Sequence, residues 1–317
     1  MKSIPILIIC YARPEKTLKL IRDLSAQGGV LFYVAVDGPR NPFDDEKQKF
    51  LRNTLLEDST YKNLKIHIWQ RERNLGVGVS VITAIDWFFS KVEEGLILED
   101  DLRVSDRLLE YVGRMLPLLK TNPSVMMISC SNFFSMNLIR SFHFTNYPMI
   151  WGWATNREKW EQLRGFLFLK KSLLRLKEFN SVFNYWRIGA RRVLKGTIDT
   201  WDIPLAYEMR KRALVSIIPP VNMISNIGAD AQAVHTQNPE FPLELPIGEY
   251  SEMCHIDPEV ISVGNCAYNQ LLEKKVFKIK FRHALLPLYA AILDFFRHAG
   301  ISDQPLIIRV RTVVVPD

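Results

Sequence analysis

Residues 96–101 read Leu96-Ile97-Leu98-Glu99-Asp100-Asp101, an apolar, strand-like run that leads directly into three acidic residues. Adjacent carboxylates repel one another, so such a strand end is tolerated where a divalent cation or hydrogen-bond donors neutralise it. Carboxylate oxygens suit magnesium or manganese, and these ions commonly bridge protein carboxylates to the phosphates of a substrate. The alternative is that the acids cap a helix predicted from residue 105, or are only solvated.

Around this strand, short β-branched runs alternate with helical patterns, which indicates an α/β fold with a mostly parallel sheet flanked by helices. The strands predicted for the first half are residues 6–10, 30–36, 64–69 and 96–98, with helices at 14–26 and 77–91. The second half is less regular: helices are predicted at 105–120 and 157–163, strands at 125–129, 149–154 and 215–219, and a basic helical stretch at 168–192. Because open α/β sheets bind ligands beyond the carboxyl ends of their strands, the site is expected at that edge.

Two further motifs lie at strand ends. Asp37-Gly38 closes the second predicted strand, although an ordinary turn would explain the same dipeptide. Residues 73–78, Arg73-Asn74-Leu75-Gly76-Val77-Gly78, precede a helix, where free backbone amides would face an anion. Their glycine spacing fits neither the dinucleotide nor the mononucleotide phosphate fingerprint, so the motif is weak alone.

The second half offers an aromatic motif and a candidate base. Trp151-Gly152-Trp153 places two large rings around a flexible residue, which suits contact with a sugar ring, and core packing is the alternative. In Thr200-Trp201-Asp202, the carboxylate of Asp202 suits a general base near a leaving group. By spacing alone, Asp202 is no better a candidate than Asp199 or Glu208.

The order of these segments resembles that of a known enzyme group. Residues 97–102, continuing through 109–111 and 117–119 to 122–124, resemble the Glu-Asp-Asp region of GT-A glycosyltransferases of the N-acetylglucosaminyltransferase I type, and Cys10-Tyr11-Ala12-Arg13-Pro14 is similar to the nucleotide-binding start of that group. The motifs at residues 151–155, 201–202, 216–219, 226–228 and 235–236 follow in an order similar to that of related bacterial nucleotide-diphospho-sugar transferases. The resemblance covers about three quarters of the chain.

The resemblance implies the GT-A nucleotide-diphospho-sugar transferase fold and a set of roles. Asp101 would coordinate Mn²⁺ or Mg²⁺, while Glu99 and Asp100 hold the nucleotide and donor sugar. Asp202 would be the base that deprotonates the acceptor hydroxyl. Asp37 would face uracil or ribose, and Arg13 would lie near the diphosphate. The other residues expected to bind the donor are Cys10, Tyr11, Arg73 and Asn74.

One stretch of the chain departs from the family pattern, and the role of one further residue is open. Ile203-Pro204-Leu205 replaces a more aromatic stretch of the relatives, which leaves the acceptor undefined. His235 is expected as a second metal ligand from a distant loop, with a structural role or a phosphate contact as the alternative.

Length and composition set the domain organisation. The 317 residues, 48% apolar, suit a catalytic domain at 1–240, with a donor half at 1–104 and an acceptor half at 105–240, and a helical basic appendage at 241–317. Four cysteines without a C-x-x-C pair, and a start unlike a signal peptide, predict reduced thiols in a cytoplasmic protein. The apolar stretch at 284–296 is too short to span a bilayer.

The net charge of +7 favours anionic partners. The basic and apolar residues 274–296 predict peripheral docking on the inner face of the membrane, where a lipid-linked glycan would be met, while packing on the catalytic domain is the alternative. Because the basic tracts lie outside the acidic strand ends, they are interpreted as an accessory surface, and no nucleic acid partner is expected.

These observations predict a metal-dependent hexosyl- or N-acetylhexosaminyltransferase. It would transfer a sugar from a nucleotide-sugar donor, expected to be a UDP-sugar, to a glycan hydroxyl in surface polysaccharide or glycoconjugate synthesis. Inversion is implied by the resemblance, through the match at Asp202. A nucleotidyltransferase acting on sugar phosphates is the rival enzyme, but residues 10–16 lack the glycine-rich loop it would need. A non-catalytic basic module that binds membrane or nucleic acid is the rival from another class.

Overall fold

The computed structural model describes residues 3–134, 142–167, 180–228, 244–251, 266–280 and 283. Its strands are β1 (Ile4–Cys10), β2 (Val30–Val36), β3 (Ile66–Gln70), β4 (Glu94–Glu99), β5 (Leu102–Val104), β6 (Val125–Ser129), β7 (His143–Thr145), β8 (Trp153–Asn156), β9 (Val215–Ile218) and β10 (Ile224–Asn226). Its helices are α1 (Pro14–Ser25), α2 (Pro42–Glu57), α3 (Gly76–Phe89), α4 (Leu108–Met115), α5 (Leu118–Thr121), α6 (Arg157–Leu167), α7 (Ser181–Leu194), α8 (Asp202–Lys211) and α9 (Cys266–Leu271), which a π-helical turn at Leu272–Val276 follows.

An eight-stranded sheet in the order β3-β2-β1-β4-β8-β6-β9-β7 forms the centre of the described chain. Its first four strands are parallel neighbours, as β1 pairs with β2 and β4, and β2 pairs with β3. Their carboxyl ends therefore meet at one edge, which is the arrangement that the sequence predicts for the first half.

Alternating residues of β1 show why this half forms a covered sheet. Ile6 and Ile8 pack in one core with Leu18 and Ile21 of α1, whereas Leu7 points to the opposite core. All of these side chains except Leu18 have no solvent exposure. Since burial of an aliphatic side chain contributes about 1.5–3 kcal/mol, a strand apolar on both faces is stable only with helices on both sides.

The second half of the sheet is mixed, so the expectation of a mostly parallel sheet is correct for the first four strands and wrong for the rest. Strand β8 lies antiparallel between β4 and β6, and β7 lies antiparallel to β9, while β6 and β9 are parallel. In the register, Trp153 faces both Ile97 and Ser129, so β8 begins at the carboxyl edge and runs away from it. This direction brings residues 151–152 next to the acidic end of β4.

Several predicted boundaries are corrected. The helix expected at 105–120 is two helices, α4 and α5, with Pro117 as the N-cap residue of the second. The strand expected at 149–154 lies at Trp153–Asn156. Helix α2 has no counterpart in the prediction although its signals are present: Asn41 accepts a hydrogen bond from the amide of Asp44 (2.9 Å), and Pro42 occupies the first turn.

The described part of the C-terminal region packs on the domain. Asn269 accepts a hydrogen bond from the Thr145 hydroxyl (2.7 Å), and Tyr147 donates to Glu273 (2.6 Å). Leu272 is fully buried, whereas the lysines of this stretch are exposed. Residues 266–280 therefore pack on the catalytic domain, while the apolar stretch at 284–296, for which membrane docking or packing is expected, lies outside the described residues.

Within the described ranges, no helix combines the length and the apolar character needed to cross a bilayer. Cys10 and Cys130 are buried free thiols, and Cys254 lies outside the described residues.

Candidate active site

The three acids at the end of β4 lie beside the end of β1, as the sequence predicts. The amide of Asp100 donates to the carbonyl of Ile9 (3.1 Å), and the amide of Tyr11 donates to the Asp100 carboxylate (3.3 Å). Arg13 then reaches across to both aspartates, with its Nη1 atom 3.3 Å from Asp100 Oδ1 and 2.8 Å from Asp101 Oδ2. Parallel pairing of β1 and β4 thus joins two motifs separated by almost ninety positions of sequence.

The acids outnumber the cation that faces them. Burial, followed by the charges of Asp101, Asp100 and Asp202, raises the pKa of Glu99 to about 8, although Arg13 opposes this. Burial followed by the charge of Asp101 raises the pKa of Asp100 to about 6, although Arg13 opposes this. The site therefore has more buried carboxyl groups than cations, and their ionised forms would be stabilised by a bound cation or by additional hydrogen-bond donors.

Asp101 has a free coordination position. Its Oδ1 atom is buried and has no hydrogen-bond partner in the part of the chain that the structure describes, while Arg13 occupies Oδ2. The residues that follow β10 lie against Asp101. The amide of Ile227 donates to the Asp101 carbonyl (2.8 Å), and Gly228 is so close to the carboxylate that a Cβ atom there would lie 2.2 Å from Oδ2. An unpartnered hard oxygen in an anionic site fits a divalent cation.

Among the described residues, no three acidic, histidine or cysteine side chains converge enough to hold a metal alone. A cation at Asp101 would therefore take most of its ligands from substrate phosphates and water, as magnesium commonly does. His235, the second expected ligand, lies outside the described residues.

Asp37 fastens the loop that follows β3. Its two carboxylate oxygens accept from the amide of Leu75 (3.1 and 3.2 Å), and Asn74 donates its side-chain amide to Asp37 (3.0 Å) and to the Gly38 carbonyl (3.0 Å). Gly38 is needed here, because a Cβ atom would lie 2.2 Å from the backbone carbon of Arg73. Asp37 is thus the centre of a loop anchor, and the expected contact with uracil or ribose remains a proposal.

Among the other expected donor-binding residues, Cys10 and Tyr11 differ in access. The Cys10 thiol is buried and donates to the carbonyl of Ala35 (3.6 Å), so a ligand would meet only its backbone. The Tyr11 hydroxyl donates to Asp44 (2.5 Å), and Arg40 lies over its ring at 5.0 Å from the centroid. The side chain of Arg73 is exposed.

Asp202 begins α8, and its carboxylate contributes to the raised pKa of Glu99. It is partly buried, and burial raises its own pKa, although a hydrogen bond from the Thr200 hydroxyl lowers it. A carboxylate with a raised pKa accepts a proton more readily than an ordinary aspartate.

The aromatic motif divides between core and site. Trp153 is 1% exposed and its ring stacks on Trp201 at 5.9 Å, so the expected sugar contact is wrong for Trp153 and core packing is its role. Gly152 has a φ of +65°, and a Cβ atom there would collide with Ile224. Trp151 is half-buried with its ring 5.1 Å from that of Phe133, and it is the member of the motif that retains exposure.

The anion expected at residues 73–78 is Asp199 of the same chain. Its carboxylate accepts from the amides of Val77 (2.8 Å) and Gly78 (2.9 Å), at the start of α3. From the sequence, Asp199 is only an alternative base, and the sequence gives no signal for Lys16, whose ammonium group donates to the carbonyl of Ile227 (2.9 Å). Both contacts join positions more than a hundred residues apart, so no local pattern signals them.

A groove of about 670 Å³ between α2 and β3 is not this site. Its lining, from Pro39 and Arg52 to Trp69 and Glu72, includes none of the expected site residues.

No family model and no curated protein matches the chain. Among solved structures, the apo form of the glycosyltransferase GlyE from Streptococcus pneumoniae is 10% identical with a TM-score of 0.34, over 63% of this chain and 44% of that one. A further GlyE structure is 11% identical with a TM-score of 0.35, over 95% and 64%. A candidate glucose-1-phosphate thymidylyltransferase from Bacillus anthracis, in complex with sucrose, is 11% identical with a TM-score of 0.33, over 59% and 83%.

The chain thus spans less than two thirds of the GlyE chains it matches. Similarity at this level identifies neither a family nor an activity.

Proposed function

We propose that this chain is a glycosyltransferase that moves a sugar from a nucleotide-sugar donor to an acceptor hydroxyl. The observation that carries the proposal is the acidic end of β4, where Glu99, Asp100 and Asp101 meet Arg13 and lie within the electrostatic influence of Asp202. This arrangement supports the proposal, because the charges of a candidate cation ligand, Asp101, and a candidate base, Asp202, both act on Glu99.

Asp101 is the residue proposed to hold Mn²⁺ or Mg²⁺, because its unpartnered oxygen offers the ligand that these ions prefer. When bound, such an ion offsets the charge that develops on the departing diphosphate. Glu99 and Asp100 are proposed to hold the nucleotide and donor sugar, and Arg13 to orient the Asp100 and Asp101 carboxylates. A uridine nucleotide follows from the resemblance of residues 97–124 to the N-acetylglucosaminyltransferase I type.

Asp202 is proposed as the general base. Its carboxylate accepts the proton of the acceptor hydroxyl, whose oxygen forms a bond to the anomeric carbon as the bond from that carbon to the diphosphate breaks. The nucleoside diphosphate leaves with the bonding electron pair, and direct attack inverts the anomeric configuration. Burial supports the role, since it raises the pKa of Asp202 and so strengthens the carboxylate as a base.

The specific activity proposed for the chain is that of a hexosyl- or N-acetylhexosaminyltransferase in surface polysaccharide or glycoconjugate synthesis. A lipid-linked glycan acceptor would be met at the inner face of a membrane, and four exposed lysines, Lys274, Lys275, Lys278 and Lys280, form a basic strip that favours an anionic surface. Salt-sensitive flotation of the protein with anionic vesicles tests this part, and no flotation at low salt would remove it.

A nucleotidyltransferase acting on sugar phosphates is the second candidate, because it also needs acids at a strand end to hold a metal. The chain between β1 and α1, Tyr11-Ala12-Arg13, is short and carries no glycine. A phosphate-cradling loop usually draws on glycines for close backbone approach, so this feature favours sugar transfer.

The test is a panel of nucleotide sugars with Mn²⁺ and a mixture of glycan acceptors, in which product nucleotides are identified. Metal-dependent release of a nucleoside diphosphate, and a rise in Tm with the same donor, are expected. Formation of a nucleotide sugar and pyrophosphate from a nucleoside triphosphate and a sugar phosphate would instead establish the second candidate.

A further inference from the structure

We propose that Asp199 is a positioning residue that fastens the segment leading to Asp202 onto the start of α3, and so sets where the base stands relative to the donor side of the site. This inference rests on the proposed function. Asp199 does not touch substrate in this scheme; it acts through Asp202.

The contact is a two-point attachment between distant parts of the chain. Each Asp199 oxygen accepts one backbone amide, from Val77 at 2.8 Å and from Gly78 at 2.9 Å, across more than 120 positions of sequence. The first amides of a helix have no partner within the helix, and the N-cap residue Leu75 supplies no side-chain oxygen. Asp199 therefore supplies the hydrogen-bond acceptors that the first amides of α3 lack within the helix, and the helix dipole favours its negative charge.

The two glycines of the loop are fitted to this carboxylate. A Cβ atom at Gly76 would lie 2.4 Å from Asp199 Oδ2, and one at Gly78 would lie 2.8 Å from Oδ1. Gly76 also has a φ of +77°, which side chains rarely adopt. The glycine spacing that matches no phosphate fingerprint is thus explained by close approach of Asp199.

The same loop is held from the opposite side by Asp37. Leu75 donates its amide to Asp37, and Val77 and Gly78 donate theirs to Asp199, so one short turn joins the end of β2 to the start of α8. Next to Asp199, Thr200 donates its hydroxyl to Asp202. Three sets of hydrogen bonds, joined by short backbone segments, therefore connect the donor half to the base.

The first experiment compares Asp199→Asn with Asp58→Asn. Asp58 is a matched control, since it is also an exposed aspartate that accepts a backbone amide, from Thr60 at 2.7 Å, at the end of α2. For Asp199→Asn, amide hydrogen exchange is expected to rise in residues 76–78 and 198–203, and kcat to fall about 10- to 100-fold with UDP affinity retained. Asp58→Asn is expected to change neither.

A double-mutant cycle with Asp202→Asn then separates positioning from a general loss of structure. Asp202→Asn should lose about 10²- to 10⁴-fold in kcat. If Asp199 acts through Asp202, adding Asp199→Asn to that variant should cause almost no further loss. Losses that multiply, or equal falls in kcat and UDP affinity, would overturn the positioning role.

The exchange measurement also separates this inference from the proposed function. A wild type that turns over no nucleotide sugar would refute the function, and the attachment would then be judged on exchange alone. Unchanged exchange in residues 76–78 and 198–203 of Asp199→Asn would overturn the inference whatever the activity.

Discussion

The two halves of the central sheet bring residues to the site by different means. In the half made of β3, β2, β1 and β4, parallel strands end at one edge, and Asp37, Arg13 and Glu99 reach it because they follow those strands. In the mixed half, Asp202 stands at the start of α8, after a segment that is fixed by contacts with the other half. One half positions its residues by strand geometry, and the other by long-range hydrogen bonds.

The halves also differ in the surroundings of their acids. Asp100 and Asp101 share the cation Arg13, which follows β1 directly. Asp202 has no cation within salt-bridge distance among the described residues, and the hydroxyl of Thr200 is its side-chain partner. A carboxylate that holds a metal must stay ionised, and a neighbouring cation favours the ionised form. A base must instead keep an affinity for protons, so the difference between the halves matches the two proposed roles.

The largest effect is expected from removing the charge at the parallel edge. Asp101→Asn keeps the size of the side chain but should lower metal-dependent turnover by about 10³-fold or more, because several kcal/mol of charge stabilisation would be lost. The measurement is the rate of donor turnover against Mn²⁺ concentration.

Asp106→Asn is the control for that variant, since Asp106 is an exposed acid five positions further along the chain. It should turn over donor at the wild-type rate. An Asp101→Asn protein with unchanged Mn²⁺ dependence would show that the parallel half does not hold the metal, and the contrast between the halves would fail.

The same contrast explains what could be predicted from the sequence. The strand pattern predicts that Glu99 and Asp100 lie at the carboxyl edge of the sheet, because they end and follow one predicted strand. Arg13 is expected there only through the resemblance of residues 10–14. The antiparallel direction of β8 could not be inferred, because a short apolar run is the same in either direction. Trp153 was misassigned for a related reason, as nothing in its neighbours reveals that the ring stacks on Trp201.

A smaller effect is expected from weakening the contacts of Asp37 with the loop after β3. This change tests whether the parallel half also depends on hydrogen bonds in its loops, besides the pairing of its strands. Gly38→Ala would bring a Cβ atom within 2.2 Å of the Arg73 backbone and weaken the hydrogen bonds from Asn74 and Leu75 to Asp37. The free energy of unfolding, measured with urea, should fall by about 1–3 kcal/mol, the usual cost of overpacking.

Gly165→Ala is the matched substitution in α6, where a Cβ atom would meet nothing within 4 Å. It should leave stability unchanged or raise it by about 0.5–1 kcal/mol, since alanine suits a helix better than glycine. If Gly38→Ala were equally harmless, the close approach of the loop to β2 would not be a feature of the folded protein.

The smallest effect tests the surroundings of the base in the mixed half. Burial raises the pKa of Asp202 and the Thr200 hydroxyl lowers it, so Thr200→Val should leave the pKa higher than in the wild type. A base works only when deprotonated, and the acid limb of the kcat profile should therefore move to higher pH. The rate in that limb should fall by less than about tenfold, as one hydrogen bond allows, with no change at pH values well above the limb.

Thr200→Ser keeps the hydroxyl and should keep the wild-type profile. A limb that moves to lower pH in Thr200→Val, or equally in both variants, would show that the Thr200 hydroxyl does not tune the base.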